Sequence, residues 1–145
     1  MQLTKPIIQC NAKSLLQALR EQLKLKQDWR KKPGDTWRHR EINAEITIKT
    51  DKQTGFISLI SITSYQWTEA NITQVFDVVH LVCRLIDPDF TEQDELLEAF
   101  SAPADRTSDR YDRDKTIRGI AFCQSVNPGK SIAVSVKRHP AVVAA

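Results

Sequence analysis

Residues 42–49 alternate strictly between apolar and polar side chains, and this run constrains the fold more than any other part of the sequence. The apolar positions are Ile42, Ala44, Ile46 and Ile48. Because successive side chains of a β-strand point to opposite faces of the sheet, a period of two predicts a strand with one buried and one solvated face. The run therefore favours an antiparallel sheet that is covered on one side only.

Three further strands are predicted from their composition and from the turns beside them. A turn at residues 51–55 leads into a strand over residues 56–65, whose apolar side chains occupy both faces and so indicate an interior strand. Residues 117–124 and 131–137 are predicted to pair as a hairpin, because Pro and Gly fill the two central positions of the connecting turn. The sequence thus predicts about four strands in two hairpins.

Two amphipathic helices accompany these strands. Asn11 is predicted to cap the first helix, and Asp87 followed by Pro88 is predicted to end the second. The apolar stripe of the first helix consists of Ala12, Leu15, Leu16, Leu19 and Leu23. Residues 91–94 resemble a capping box and predict a short third helix. This order of elements predicts an α+β fold, a two-layer antiparallel sheet with two to three helices packed on one face.

The length of 145 residues fits one domain over residues 1–145. Residues 101–115 lack apolar periodicity and are predicted to form a charged, mobile loop, and residues 140–145 a short tail. No run of about 18 apolar residues occurs, so neither a membrane span nor a membrane partner is predicted. Three widely spaced cysteines and no signal-peptide core predict a cytoplasmic protein.

Charge is segregated along the chain, although the formal net charge is only +3. Residues 1–86 carry 13 basic and 8 acidic side chains, residues 87–114 carry 3 and 10, and residues 115–145 carry 5 and none. An acidic stretch therefore lies between two basic ones, which indicates surfaces of opposite charge.

The densest positive charge lies in residues 24–40, the basic segment, which holds seven Lys or Arg and two of the three tryptophans. Basic side chains neutralise phosphates, and an indole face stacks on unpaired bases. We therefore predict nucleic-acid contacts, to DNA or RNA, by this set of residues: Lys24, Lys26, Trp29, Arg30, Lys31, Lys32, Trp37, Arg38 and Arg40. The alternative is a solvated loop in which Trp29 and Trp37 fold back onto the core.

A second hypothesis places function in a protein–protein contact. An exposed strand edge or the acidic residues 87–114 would then bind the partner, as in an inhibitor, immunity protein, adaptor or chaperone. Pairing of sheet edges would give a homodimer, and the acidic residues could also cover the chain's own basic segment.

Signatures of catalysis are weak. Four isolated glycines provide no phosphate-cradling loop. Asp87, Asp89, Thr91 and Glu98 have the spacing of a calcium loop, but Glu92 stands where the sharp turn needs glycine. Helix capping explains this pattern better than calcium binding.

Other potential metal or catalytic groups lack support around them. His80 and Cys83 are three residues apart but have no second pair, and Glu41 and Glu45 are predicted on the wet face of a strand. A metal-dependent hydrolase would rely on the carboxylates of the charged loop: Asp105, Asp109, Asp112 and Asp114. We predict no catalytic residue, metal or cofactor, and a small binding protein with an accessory or regulatory role in nucleic-acid biology.

Overall fold

The computed structural model describes residues 11–39, 41–42, 44–65, 69–91, 95, 111–127 and 130–138. These residues form one antiparallel sheet of seven strands with two helices, which confirms the α+β class and exceeds the predicted four strands. The helices are α1 (Ala12–Gln22) and α2 (Glu69–Ile86). The strands are β1 (Arg30–Lys32), β2 (Thr36–Arg38), β3 (Glu45–Thr50), β4 (Ile57–Ser64), β5 (Tyr111–Ile117), β6 (Ile120–Asn127) and β7 (Ser131–Arg138). Their order across the sheet is β1-β2-β3-β4-β7-β6-β5.

The first helix begins and ends with local hydrogen bonds. As predicted, Asn11 caps α1, where its side-chain oxygen accepts a hydrogen bond of 2.9 Å from the Ser14 amide. Past its C-terminus, Lys24 adopts a left-handed conformation (φ 55°) and the Leu25 amide donates to the Arg20 carbonyl at 3.0 Å. This is the Schellman ending of a helix, and it turns the chain sharply into the basic segment.

Both helices lie on the same face of the sheet, where they close the hydrophobic core. Helix α2 packs on β4 and β7 and contacts α1. Its fully buried side chains are Val75, Val78, Val79, Val82 and Cys83. The helix ends at Ile86, immediately before the predicted stop at Asp87 and Pro88.

Strand β4 is an interior strand between β3 and β7, as predicted. Its register shifts beside Lys49 and Thr50, so that Ile57 pairs with Thr50 and Leu59 with Lys49. This bulge puts Ile57 on the buried face, whereas the simple alternation of the sequence placed it with Leu59.

The C-terminal strands depart from the prediction at one tight turn. Arg118 (φ 51°) and Gly119 (φ 77°) both have positive φ and form the two-residue turn that joins β5 to β6. Residues 111–115, predicted within a mobile loop, are therefore strand. The β6–β7 hairpin is confirmed, with a turn hydrogen bond of 2.9 Å from the Lys130 amide to the Asn127 carbonyl.

Some predicted features lie outside the described residues. Of the predicted third helix only Thr91 and Glu95 are described, and residues 101–110 and 140–145 are not.

The two faces of the sheet differ in chemistry. The face under the helices, the helix face, carries the buried residues of β3, β4, β6 and β7. No described element covers the opposite face, which we call the open face. Strand register places rows of residues across it, and two of these rows run from β1 to β5. A shorter row holds Lys49, Leu59, Lys137, Ala121 and Thr116. The first row is Arg30, Arg38, Glu45, Thr63, Ala133, Ser125 and Asp112. The second row is Lys32, Thr36, Thr47, Ser61, Ser135, Cys123 and Asp114.

Candidate functional site

The β1–β2 hairpin concentrates positive charge at one edge of the open face, which we call the basic edge (Arg30, Lys32 and Arg38). Arg30 pairs directly with Arg38 across the hairpin, and Lys32 lies two residues further along the same face of β1. Like charges opposite each other on neighbouring strands destabilise the pairing. An anion between these guanidinium groups would remove that repulsion.

One carboxylate partly compensates the basic edge. Glu45 Oε1 lies 2.8 Å from Lys32 Nζ and 3.9 Å from an Arg38 nitrogen. The Glu45 side chain is only 12% exposed, whereas that of Arg38 is 55% exposed. Arg30 is exposed and has no ion-pair partner among the described residues. The basic edge therefore keeps an excess of positive charge that faces solvent.

Arg20 fixes the chain that leads into the hairpin. Its guanidinium donates hydrogen bonds to the carbonyls of Leu25 (3.3 Å) and Lys26 (2.8 Å) and forms an ion pair with Asp28. These contacts hold the chain between α1 and β1 in one conformation. Arg20 was not among the predicted site residues.

Glu41 holds the same segment from the other side. Its Oε2 atom accepts hydrogen bonds from the amides of Lys26 (2.8 Å) and Gln27 (3.1 Å). The amide of Gln27, helped by the amide and the charge of Lys26, lowers the pKa of the Glu41 carboxyl against the opposing effect of desolvation. The prediction that Glu41 and Glu45 lie on one face of a strand is wrong, because Glu41 precedes β3 and binds backbone amides instead.

His39 completes this network beneath the hairpin. Its ring is buried, its Nε2 atom lies 2.7 Å from the Gln27 carbonyl oxygen, and its Nδ1 atom accepts a 3.0 Å hydrogen bond from the Glu41 amide. The neutral tautomer with hydrogen on Nε2 satisfies both bonds. His39 therefore acts as a structural crosslink between the two ends of the basic segment.

Both tryptophans of the basic segment pack against the core. The Trp29 Nε1–H group donates a 2.8 Å hydrogen bond to the Leu16 carbonyl. The Trp29 ring makes an edge contact with the His39 ring, and the two ring centroids are 5.2 Å apart. Trp37 pairs with Ile46 on the helix face, because strand alternation turns it away from Arg38. This arrangement agrees with the alternative in which the two indoles fold back onto the core, and their role as stacking platforms stays a prediction.

A cavity of about 490 Å³ lies at the basic edge. Its lining residues are Gln27, Asp28, Arg30, Lys32, Arg38, His39 and Ile42. Its volume is within the range of small-molecule sites. Since Asp28 is already paired with Arg20, the lining presents an electropositive surface to an incoming group. Its chemistry suits an anion such as a phosphate.

The other predicted contact residues lie in different parts of the structure. Lys24 and Lys26 are exposed on the chain between α1 and β1. Lys31 pairs with Trp37 and therefore projects from the side of the hairpin opposite the basic edge. Arg40 lies outside the described residues. Sequence reasoning missed Gln27, His39 and Ile42 as cavity residues, because tertiary contacts such as that between His39 and the Gln27 carbonyl bring them together.

The opposite edge of the sheet is acidic on the open face; we call Asp112 and Asp114 the acidic edge. Six strand spacings separate it from the basic edge, or about 29 Å at about 4.8 Å each. Asp112 accepts a 2.6 Å hydrogen bond from the Ser125 hydroxyl. Burial, a hydrogen bond to Asp114 and nearby carboxylates raise the pKa of the Cys123 thiol. Because the two edges are about 29 Å apart, Asp112 and Asp114 do not cover the basic segment of the same chain.

The remaining metal and catalytic hypotheses gain no support from the described residues. Asp87 forms an ion pair with Arg118 at 2.9 Å and accepts a hydrogen bond from the Asp89 amide, as in a turn that ends a helix. Cys83 is buried, and desolvation raises its pKa to about 12. The described part of the chain holds no group of three or more His, Cys, Asp or Glu side chains that could bind a metal.

Comparison with models of protein families, with curated proteins and with solved structures finds no match to this chain. Among the described residues, neither helix is long and apolar enough to cross a membrane. The chemistry of the basic edge and its cavity is therefore the basis on which function is inferred.

Proposed function

We propose that this protein binds nucleic acid through the phosphate backbone at its basic edge, without catalysis. The observation that carries the proposal is the direct pairing of Arg30 with Arg38 beside a cavity, with Glu45 as the carboxylate that faces the basic edge. A pair of opposed guanidinium groups costs stability in the free protein. Such an arrangement is useful to a protein that neutralises it with a bound anion.

The chemistry of the side chains favours phosphate as that anion. A guanidinium group donates two parallel hydrogen bonds to phosphate oxygens, and Lys32 would add a point charge beside them. Lys24 and Lys26, exposed on the adjoining chain, extend the positive surface along which a polyanion would run. The Arg20 and Glu41 contacts hold that chain in place before binding, which reduces the entropy lost on association.

The protein would read the backbone more than the bases. None of the strand residues on the open face is aromatic, and the two indoles of the basic segment pack on the core. Phosphate contacts position a protein on nucleic acid but carry no sequence information. We therefore propose a sequence-tolerant accessory or regulatory protein, and we retain the cytoplasm as its proposed compartment.

The alternative of a partner protein bound along a strand edge has less support. Strand β1 has only three residues, all basic, and β5 alternates acidic with basic residues between Asp112 and Lys115. Short or charged edge strands resist pairing with a further strand.

The proposal is tested by the anisotropy of labelled single-stranded DNA, single-stranded RNA and duplex DNA. The variant Arg30→Ala/Arg38→Ala should bind each about tenfold more weakly or worse, since both of its phosphate-binding guanidinium groups are removed. The matched control is Lys52→Ala/Lys130→Ala, which removes the same charge from exposed positions away from the basic edge. It should change affinity by less than about twofold.

Two results would contradict the proposal. The first is wild-type protein that binds none of the three nucleic acids at low salt. The second is equal weakening by the two double variants, which would show that net charge and not the basic edge is responsible. Circular dichroism of each variant establishes that the loss of binding does not come from unfolding.

A further inference from the structure

The shorter row of the open face carries two lysines and ends without a carboxylate. Lys49 on β3 and Lys137 on β7 flank Leu59 of β4 in this row. From this arrangement we infer that a single strand of nucleic acid leaves the basic edge and crosses the open face along Lys49 and Lys137. The inference rests on the proposed function and deepens it, because it names single strands rather than duplexes as the preferred ligand.

Lys49 and Lys137 are both available to phosphates. Their side chains are exposed, and neither forms an ion pair with any residue that the structure describes. Glu45, the carboxylate at the basic edge, lies four residues before Lys49 on β3, which is about 13 Å away at about 3.3 Å per residue. Glu45 therefore compensates the basic edge and leaves the charge of Lys49 unpaired.

Together with Lys32 of the basic edge, these residues form a line of cations that we call the lysine path (Lys32, Lys49 and Lys137). Lys49 lies two strands from Lys32 and two residues further along the strand direction, and Lys137 lies two strands beyond Lys49. Strand spacings of about 4.8 Å and two-residue steps of about 6.7 Å give about 12 Å for the first distance and about 10 Å for the second. The path spans about 20 Å, which suits a single-strand site of about four to six nucleotides.

The carboxylates of the open face favour this path over the two longer rows. Those rows end at Asp112 and Asp114, whose charges repel a phosphate backbone, whereas the shorter row ends at the neutral Thr116. A strand that follows the cations therefore turns from the rows of the basic edge into the shorter row. A flexible single strand bends in this way, but duplex DNA has a persistence length of about 150 base pairs.

A second cavity of about 490 Å³ lies at the far end of the lysine path. Lys137 would pair with a phosphate there, while the apolar side chains contact the sugar or base beside it and Asp114 accepts a hydrogen bond from a base amino group. This cavity suits an unpaired nucleotide, because a duplex keeps its bases in the stack. Its lining includes Leu59, Asp114, Ala121, Cys123, Ser135 and Lys137.

Anisotropy of labelled oligonucleotides tests the path with the variant Lys49→Ala/Lys137→Ala. Its affinity for single strands of about twelve nucleotides should fall about tenfold, and its salt slope by about one to two, since two phosphate contacts are removed. Its affinity for duplex DNA should change by less than about twofold, because a duplex contacts only the basic edge. The matched control is Lys13→Ala/Lys130→Ala, which removes two exposed lysines from α1 and from the β6–β7 turn and should bind both ligands as the wild type does.

Cys123 provides a second measurement that does not depend on the removal of charge. The experiment uses a Cys10→Ser background, in which Cys83 is buried. A saturating single strand should slow alkylation of Cys123 about fivefold or more, because it fills the second cavity and blocks access to the thiol. Saturating duplex DNA should leave the rate unchanged.

The failure of this inference is distinguishable from the failure of the proposed function. A loss of single-strand affinity in Lys49→Ala/Lys137→Ala no greater than in its control would overturn the inference, and so would a Cys123 thiol that single strands leave equally reactive. The proposed function survives either result if Arg30→Ala/Arg38→Ala still weakens binding. Wild-type protein that binds none of the nucleic acids would contradict both.

Discussion

The two edges of the sheet carry opposite charges on the open face, and the charged side chains have different kinds of partner at each edge. At the acidic edge, the chain itself engages the carboxylates: Ser125 donates to Asp112 at 2.6 Å, and Asp114 hydrogen-bonds the Cys123 thiol. At the basic edge, Arg30 faces Arg38, and Glu45 is the one glutamate within ion-pair distance of Lys32 and Arg38 in the part of the chain that the structure describes. The Ser125 hydroxyl orients Asp112 without neutralising its charge, whereas the basic edge holds three cations against the Glu45 carboxylate beside a cavity, which suits it to an external anion.

The contrast also shows that cations alone do not define a site. Lys31 and the two indoles belong to the same segment of sequence as Arg30. Lys31 and Trp37, however, project from the other side of the hairpin, and Trp29 packs against α1. Register, and not proximity in sequence, selects which charges act together.

The largest effect is expected from the indole that joins the basic edge to α1. Trp29→Ala removes a half-buried ring and its hydrogen bond to Leu16, so the free energy of unfolding should fall by about 2–4 kcal/mol in denaturant titrations. The affinity of the folded fraction for oligonucleotide should change by less than about twofold, since the proposed backbone binding does not use this ring as a stacking platform. A loss of affinity with unchanged stability would restore the stacking role.

The next effect concerns the carboxylate beside the basic edge. Glu45→Gln removes the negative charge next to Lys32 and Arg38, so oligonucleotide affinity at low salt should rise about threefold to tenfold. The free energy of unfolding should fall by about 1 kcal/mol, because Lys32 loses its partner. Glu21→Gln on the exposed side of α1 is the control, and equal gains from both variants would show that Glu45 does not act locally on the basic edge.

A smaller effect is expected at the acidic edge. Asp114→Asn removes a hydrogen bond and a charge that raise the pKa of the Cys123 thiol, so its alkylation near pH 8 should accelerate about twofold to fivefold. The measurement requires a Cys10→Ser background so that Cys123 is followed alone; Cys83 is buried. Asp112→Asn should accelerate the reaction less, and an unchanged rate for Asp114→Asn would show that this carboxylate does not act on the thiol.

The smallest effect is a change in acid stability at the basic edge. The pKa of Glu41 is lowered in the folded protein from its ordinary value of 4.5, so its contribution to stability is present above that pH and is lost as the pH falls through the folded pKa. Glu41→Gln should therefore show a shallower loss of stability on acidification below about pH 4.5 than the wild type. Parallel curves for the two proteins would indicate that the amide contacts of Glu41 contribute nothing.

The sequence predicted the elements that carry a strong apolar pattern. The alternation around Ile46 identified β3, and the long apolar stripe identified α2, because each pattern reports burial directly. The edge strands β1 and β5 escaped prediction since their residues are mostly charged, and β2 escaped it because three residues are too few to show a pattern. These segments become strands only by pairing with a neighbour. The turn at Arg118 was missed because a non-glycine residue rarely adopts a positive φ.

The site was predictable to a similar degree. The excess of positive charge in the basic segment is a property of composition, so its cations could be named from the sequence alone. Which of them share a face depends on the pairing of Arg30 with Arg38. The position of Trp29 depends on Leu16 and His39, which are distant from it in sequence. These are tertiary contacts, and a local sequence pattern does not predict them.

The most direct test of phosphate binding at the basic edge is the dependence of oligonucleotide affinity on salt for the wild type and the two double variants. The logarithm of the binding constant should fall linearly with the logarithm of salt concentration. Arg30→Ala/Arg38→Ala should reduce that slope by about two, because each of the two arginines neutralises one phosphate. Lys52→Ala/Lys130→Ala should leave the slope unchanged. Equal slopes for all three proteins would contradict the assignment of phosphate binding to the basic edge.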